Sequence, residues 1–325
     1  MIDNEKVDAV QENIVEVVEV VSVEKHPNAD RLEIVGVLGT QFVSAKGEFT
    51  VGSGAIYFPP DTVIDPSSVD ETTASYLKKG NRVGAIRLRG CPSFGFGLKT
   101  KTSIGTNLTN AFGATHWQPP SYQGEGRLDT PGVFQYTHIQ HYYKHTGCFR
   151  GKEVVITEKL HGQNLRVGVC KGEVFVGSHR RLRNEDSVFG AGLPLVSECL
   201  KDAANAGHNL TFYGELFGKG IQFMDYGVSR GVRMFDAMLN GVYMNWEDFN
   251  ELCNQYSIPM VPVLYRGMFD NELIGKYTDG ASFGEHTCEF KGREGIVIKP
   301  VVEARGARIG RLIAKSVSAD YYEHN

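Results

Sequence analysis

No two of the six cysteines, at 91, 148, 170, 199, 253 and 288, have the C-x-x-C spacing of a structural zinc site or a dithiol redox motif. The N-terminus, Met1-Ile2-Asp3-Asn4-Glu5, is acidic and lacks the basic and apolar regions of a secretion signal. The thiols therefore read as reduced packing residues of an intracellular protein, not as a disulfide framework. No apolar run approaches the roughly 20 residues of a membrane-spanning helix. Internal repeats and low-complexity tracts are also missing. Nor is there a basic excess: 34 Lys and Arg stand against 38 Asp and Glu, for a net charge of −4. That balance excludes a protein coated in positive charge. It leaves room for a local basic face, and between Lys144 and Arg183 nine Lys/Arg (144, 150, 152, 159, 166, 171, 180, 181, 183) meet three Glu (153, 158, 173). Such a face suits a polyphosphate or a nucleic-acid backbone.

The length, 325 residues with 41% hydrophobic content, suits two domains that each bury a core. In the first hundred residues, Val/Ile-rich stretches at 14–23, 33–37, 55–58 and 83–88 read as short strands. Turn chemistry separates them: His26-Pro27-Asn28-Ala29-Asp30, Gly52-Ser53-Gly54, Pro59-Pro60-Asp61 and Lys79-Gly80-Asn81. That spacing predicts a small OB-like β-barrel over residues 1–105. Residues 106–135, with Pro119-Pro120 and Gly124-Glu125-Gly126, read as a linker, and 136–325 as a second, strand-rich α+β domain. Two helices are predicted there. One begins near Leu195 and ends before Gly207; the other runs from Trp246 to Tyr256 with Asn245 as N-cap.

The densest chemistry lies in Val155-Ile156-Thr157-Glu158-Lys159-Leu160-His161-Gly162-Gln163-Asn164. A β-branched run ends in a lysine, and a lysine at the end of a buried strand is poorly hydrated, which favours the neutral, nucleophilic amine. Gly162 permits a tight turn and a close approach to the backbone. Four further strand-like runs carry charges at set places: Phe212 to Gly218 around Glu215, Val232 to Ala237 around Phe235, Glu294 to Pro300 with Lys299, and Arg311 to Ser316 with Lys315. Each alone is an ordinary strand with a charged end.

In this order the five runs resemble motifs I, III, IIIa, IV and V of the covalent nucleotidyltransferases, over roughly residues 137–325. The form Glu-Lys-Leu-His-Gly-Gln-Asn, with His where DNA ligases usually carry Asp, is similar to RNA ligases that seal nicks in duplexes. His26 to Leu32 resembles a turn of tRNA-binding OB modules. Arg87-Leu88-Arg89-Gly90-Cys91-Pro92-Ser93-Phe94-Gly95 resembles the close of the N-terminal OB domain in the Naegleria and Deinococcus type of RNA ligase. The resemblance implies an antiparallel, ligase-type nucleotidyltransferase domain after the OB module. It also implies ATP as donor, Mg²⁺ or Mn²⁺ as cofactor, and an RNA-containing nicked duplex as substrate, handled by a monomer without membrane attachment.

The resemblance also assigns roles. Lys159 would attack the α-phosphorus of ATP and carry AMP, which then passes to a 5′-phosphate before the 3′-hydroxyl displaces it. Glu158 would lie at the adenine edge, where its backbone can read the base, and Asn164 would contact a phosphate; Leu160, His161 and Gly162 would belong to the nucleotide-binding segment. Glu215 and Glu294 would meet the ribose or a metal through water. Phe235 would stack on adenine, and Lys299 and Lys315 would hold the α-phosphate. Arg180 would contact ribose or phosphate, with Arg181 and Arg183 as rivals. Arg150 and Lys152 would meet the outer phosphates or a second metal. His161 serves as a neutral hydrogen-bonding or water-orienting group. A capping enzyme and a DNA ligase would place their OB domain after this core, and an NAD⁺-using enzyme would carry an adapter before it. The alternative of another class is an inert RNA- or tRNA-binding protein with a ligase-like fold.

Overall fold

Alternating Val and Glu after Ile14 produce one long strand, Glu16–Lys25, which buries Val17, Val18 and Val20 while Glu19 and Val21 face solvent. It forms the middle of a five-stranded antiparallel sheet ordered Thr40–Ala45, Leu32–Val37, Glu16–Lys25, Gly54–Phe58, Phe96–Lys99. The structure, a computed structural model, describes residues 14–78, 80–117, 126–306 and 309–324. It divides into two units, Met1–Ser121 and Tyr122–Asn325.

In the first unit a register irregularity between Val20 and Ser22 sharpens the twist of the sheet. The outer strands then meet where Gly97 makes room for an aromatic ring: a Cβ there would lie 2.4 Å from Cζ of Phe42. The result is the expected OB-like barrel. A hairpin, Ala85–Leu88 with Cys91–Phe94, lies against Thr40–Ala45, where Val43 N donates to Ser93 Oγ at 2.9 Å and Gln41 Nε2 to Pro92 O at 2.8 Å. Its tip is joined to the turn after Lys25. His26 is fully buried with Nε2 3.0 Å from Leu88 O, and Asn28 Nδ2 donates to Arg89 O at 2.9 Å.

The boundary between the units differs from the sequence reading. Leu108 N donates to Val15 O at 2.8 Å, and Thr109 Oγ1 accepts from Ile14 N at 2.9 Å. Thr115–His116 pairs with Thr62–Val63. Residues 106–117 thus close the barrel unit, because their backbone groups complete its hydrogen bonding. Gly126–Arg127 pairs with Leu182–Arg183, and Asp129 receives two hydrogen bonds from the fully buried Arg166, at 2.8 and 3.1 Å. This stretch belongs to the second unit. Pro119-Pro120 and Gly124-Glu125, the centre of the expected linker, lie outside the described residues.

Two sheets build the second unit. The seven-stranded one runs Gly126–Arg127, Leu182–Arg183, Glu173–Ser178, Gln163–Cys170, Leu210–Phe217, Gly231–Leu239, Val242–Tyr243. The five-stranded one runs Gln140–His141, Ala314–Val317, Gly295–Pro300, Glu153–Lys159, Val263–Met268. Side chains of the seven-stranded sheet divide by period two. Leu165, Val167, Phe212, Leu216 and Met234 pack under helices Leu193–Asn205 and Trp246–Gln255. Asn164, Arg166, Tyr213 and Glu215 take the other face. In the five-stranded sheet Val154, Ile156, Ile296, Ile298 and Ala314 enter a separate core, which leaves Lys159, Val297 and Lys315 on the opposite side. The polar-bearing faces meet at one end around Tyr136, Tyr213, Ile313, Phe235 and Val297. Both predicted helices form. The first ends at Gly207, whose φ of +74° and the bond from His208 N to Ala203 O at 2.9 Å satisfy the last carbonyls.

Candidate active site

Lys159 is the last residue of Glu153–Lys159 in one sheet, and Gln163 is the first of Gln163–Cys170 in the other. Leu160, His161 and Gly162 make the crossing. The crossing is tight, since a Cβ on Gly162 would fall 2.3 Å from Leu216 O and 3.0 Å from Glu215 Cγ. The glycine admits the neighbouring strand's backbone, and the carboxylate of Glu215 is carried in beside the crossing. Leu160 is buried against Phe217, Met224 and Tyr226 and anchors the segment.

Lys159 Nζ donates to Glu294 Oε1 at 2.7 Å, with the lysine side chain a quarter exposed (25%) and the carboxylate 9% exposed. Glu294 sits at the mouth of Gly295–Pro300, whose Gly295 pairs with Lys159 across the sheet. Glu215 is opposite Asn164 in the other sheet. Burial, with the nearby Glu294 charge and against the Lys159 ammonium, pushes the Glu215 carboxyl up to about 8. A carboxyl group this reluctant to ionise is one that an added cation would stabilise.

His161 is 7% exposed. Its backbone N donates to Tyr226 OH at 2.6 Å, its Nδ1 lies 2.8 Å from Tyr321 OH and 3.8 Å from Glu294 Oε2, and Phe223 flanks its ring at 4.6 Å. Burial, together with the Lys159 charge, lowers its pKa to about 3, so the imidazole is neutral at any physiological pH. Among the described residues, His161 Nε2 and Asn164 Oδ1 are buried atoms without a hydrogen-bond partner. Buried polar atoms ordinarily have partners, and these two orphans, in the segment directly after Lys159, leave hydrogen-bonding capacity that a ligand can fill.

Of the residues expected at the base, Glu158 directly precedes Lys159 and Phe235 packs against the apolar cluster that contains Leu160. Glu158 is buried, its carboxylate accepting from Ser282 Oγ at 2.5 Å and from Phe283 N at 3.2 Å. Its side chain therefore buttresses the strand end, and its backbone is the part left to read a base. Phe235 is half-buried, edge-on to Tyr136 at 5.0 Å. Lys315 stands opposite Val297 on the same face as Lys159.

Four expected residues are not brought to this cluster. Lys299 is buried, its Nζ 2.9 Å from Asp236 Oδ1, while Asp236 Oδ2 meets Arg311 Nη2 at 2.6 Å and Tyr136 OH at 2.8 Å. Burial alone would raise the Asp236 carboxyl, but the two cations outweigh it and hold it below the usual range. Arg150 and Lys152 precede the strand whose far end is Lys159. Seven residues of extended chain put Lys152 about 23 Å from Lys159, too far to serve one triphosphate with it. Arg183 pairs with Val176 and lies over the Phe189 ring at 5.6 Å, on the helix-covered face. That removes one rival to Arg180; Arg180 and Arg181 are both exposed.

Sequence reasoning missed Tyr226, Ser282, Phe283, Asp236, Arg311 and Tyr321. Each acts through a contact with a residue remote in sequence, and none carries a local signal. Among the described residues no three His, Cys, Asp or Glu side chains converge as a metal cage. The two carboxylates of Glu215 and Glu294 fit a hydrated divalent cation better than a desolvated one.

The profile of the RNA ligase family matches residues 152–317. No curated protein sequence matches the chain. Among solved structures, a lysine-to-methionine variant of Naegleria gruberi RNA ligase with AMP and Mn superimposes with a TM-score of 0.80 at 20% identity, covering 97% of this chain and 99% of that one. A lysine-to-alanine variant with ATP and Mn gives 0.79 at 21%, covering 96% and 99%. An apo aspartate-to-alanine variant gives 0.79 at 21%, covering 96% and 98%. In that ligase the replaced aspartate lies two positions after the replaced lysine, the interval that separates Lys159 from His161 here. No helix among the described residues is long and apolar enough to cross a membrane.

Proposed function

Because the chain belongs to the RNA ligase family, whose profile spans residues 152–317, we propose that it joins RNA ends with ATP through an adenylated Lys159. Nζ of Lys159 attacks the α-phosphorus of ATP, pyrophosphate departs, and AMP remains on the nitrogen as a phosphoramidate. The AMP passes to the 5′-phosphate at a break, and the facing 3′-hydroxyl displaces it to form the phosphodiester. The preferred substrate is a nick in an RNA-containing duplex.

The observation that carries this reading is the 2.7 Å pairing of Lys159 with Glu294 beside Glu215 and two orphaned buried atoms. Lys159 must shed a proton to attack, and its ion pair with Glu294 favours the ammonium. The pair is thus a resting arrangement that loosens when nucleotide binds. A divalent cation, Mg²⁺ or the Mn present in the Naegleria ligase structures, would be held through water by Glu215 and Glu294 and would supply the charge that offsets carboxylate and phosphate. Lys315 serves developing charge on the α-phosphate, and Phe235 offers the adenine a face. His161 Nε2–H and the side-chain amide N–H of Asn164 donate to the phosphates, and Asn164 Oδ1 accepts from a ribose hydroxyl or a metal-bound water.

Incubation of the protein with α-labelled ATP and Mg²⁺ tests this. The expected result is label bound covalently to protein, released by pyrophosphate and passed to a 5′-phosphorylated nick. Protein that takes no label while still binding RNA would be the inert binder instead.

A further inference from the structure

We infer that Tyr321 is a positioning residue that holds the His161 imidazole as its Nε2–H tautomer, so that the ring offers one N–H donor to a phosphate oxygen beside Lys159. The inference rests on the ligase reading for the identity of that acceptor, and on geometry alone for the tautomer.

Tyr321 lies in the short C-terminal helix Ala319–His324 and is 4% exposed. Its ring stacks near Phe223 at 5.8 Å and meets Phe290 edge-on at 6.2 Å, so the phenol has little freedom to turn away. Its hydroxyl is 2.8 Å from Nδ1 of His161. Of the two groups the phenol is the better donor and the imidazole nitrogen the better acceptor, so the hydrogen bond runs from Tyr321 to Nδ1. A neutral imidazole that accepts at Nδ1 carries its proton at Nε2. That nitrogen is buried and has no partner among the described residues. The backbone of His161 is fixed independently through Tyr226 OH, 2.6 Å from its N, so the ring is pinned at both ends.

The position gives the device its purpose. In the Naegleria ligase the residue two places after the replaced lysine is an aspartate, which accepts hydrogen bonds and needs no tautomer. An imidazole there can donate or accept, and only an outside group decides which. Tyr321 is that group in this chain. The ring is also one side chain removed from the nucleophile: Nδ1 is 3.8 Å from Glu294 Oε2, and Glu294 Oε1 is 2.7 Å from Lys159 Nζ.

The experiment uses the full chain with ¹⁵N-labelled histidine and the variant Tyr321→Phe, which removes only the hydroxyl. In the wild type the His161 ring should show Nδ1 as the unprotonated nitrogen and Nε2 as the protonated one, and Tyr321→Phe should yield a mixture. Adenylation from ATP should slow by about tenfold, the scale of a lost orienting partner, with the KM for ATP unchanged within about twofold. In a His161→Ala background the same change should cost nothing further. A wild-type spectrum with the proton on Nδ1 overturns the inference even if Tyr321→Phe proves too unstable to assay. So does a Tyr321→Phe loss that persists without His161. A wild type that takes no label from ATP defeats the ligase reading, and the tautomer measurement still decides the role of Tyr321.

Discussion

Lys299 Nζ and Asp236 Oδ1 face each other at 2.9 Å with only 5% and 0% of their side chains exposed. Arg311 completes the cluster from the other carboxylate oxygen, 2.6 Å away, and is itself paired with Glu303. Lysine and arginine here carry two positive charges against the carboxylates of Asp236 and Glu303. Removing a partner strands charge in a dry interior, which costs far more than the net worth of an intact pair.

Lys299→Ala should therefore act through stability. Urea denaturation should show a loss of about 3–5 kcal/mol, and the remaining folded protein should still take AMP from ATP. A variant with a wild-type unfolding midpoint and no adenylation would return Lys299 to the phosphate.

The contrast with Lys159 explains how far the sequence could be read. Both lysines stand at strand ends in runs of Val and Ile, and period two assigns each a face but not a partner. Lys159 meets Glu294, 135 positions away, and Lys299 meets Asp236, 63 away. Asp236 was visible only as the neighbour of Phe235. The OB-like barrel and both helices were legible because they follow from local patterning and turn chemistry, whereas the order of the charged strands was legible through the family resemblance. The unit boundary was not, because a Thr/Asn/Gly/Pro-rich segment reads as linker whether or not its backbone finds partners. Arg150 and Lys152 were misjudged for a simpler reason: nearness in sequence along a strand is distance in space.

Lys159→Ala should abolish label transfer from ATP and leave the circular dichroism spectrum unchanged. Lys159→Arg should fail equally, since a guanidinium stays protonated. Glu294→Ala and Lys315→Ala should each slow adenylation by at least about 100-fold, as expected for groups arranged toward developing charge. Wild-type rates in either variant would remove it from the site.

Glu215 gives the metal-free protein a pH dependence. Its carboxyl is raised by burial from the ordinary carboxylate range to about 8. Between those values the folded state binds more protons than the unfolded one, so stability falls as pH rises. Below about pH 6.5 the buried, neutral His161 contributes in the opposite sense, so thermal midpoints without nucleotide or metal should decline between about pH 6.5 and about pH 8, and Glu215→Gln should flatten that decline. A midpoint that rises across this window in the wild type, with Glu215→Gln removing the rise, would show the opposite shift.

Gly162→Ala places a methyl 2.3 Å from Leu216 O, a backbone atom that cannot rotate away. The crossing must shift away from the Leu210–Phe217 strand, with which Gln163 pairs through Leu216, at a cost of about 1–3 kcal/mol. Adenylation should fall with it, because the same strain displaces Glu215, 3.0 Å from the added atom at Cγ. Unchanged adenylation would mean that the crossing has slack.

The division of labour between the units can be tested by truncation, and the structure dictates where to cut. Asp129 takes two hydrogen bonds from Arg166, whose side chain is 0% exposed, and Gly126–Arg127 pairs with Leu182–Arg183. A chain starting at Gly132 would leave that buried guanidinium without its carboxylate, held by the carbonyls of Ser178 and Phe134 but with its charge uncompensated, a loss of about 3–5 kcal/mol. A chain starting at Gly126 keeps both. The Gly126 form should accept AMP from ATP yet seal a pre-adenylated nick poorly, because an OB barrel supplies a groove for a nucleic-acid backbone and no group for lysine adenylation. Full-length protein should lose nick affinity as salt rises, with a slope that reports its phosphate contacts, and the Gly126 form should show a shallower slope. Equal sealing rates and equal slopes would mean that the barrel does not touch the substrate. The turn fastened by His26 would then serve another partner.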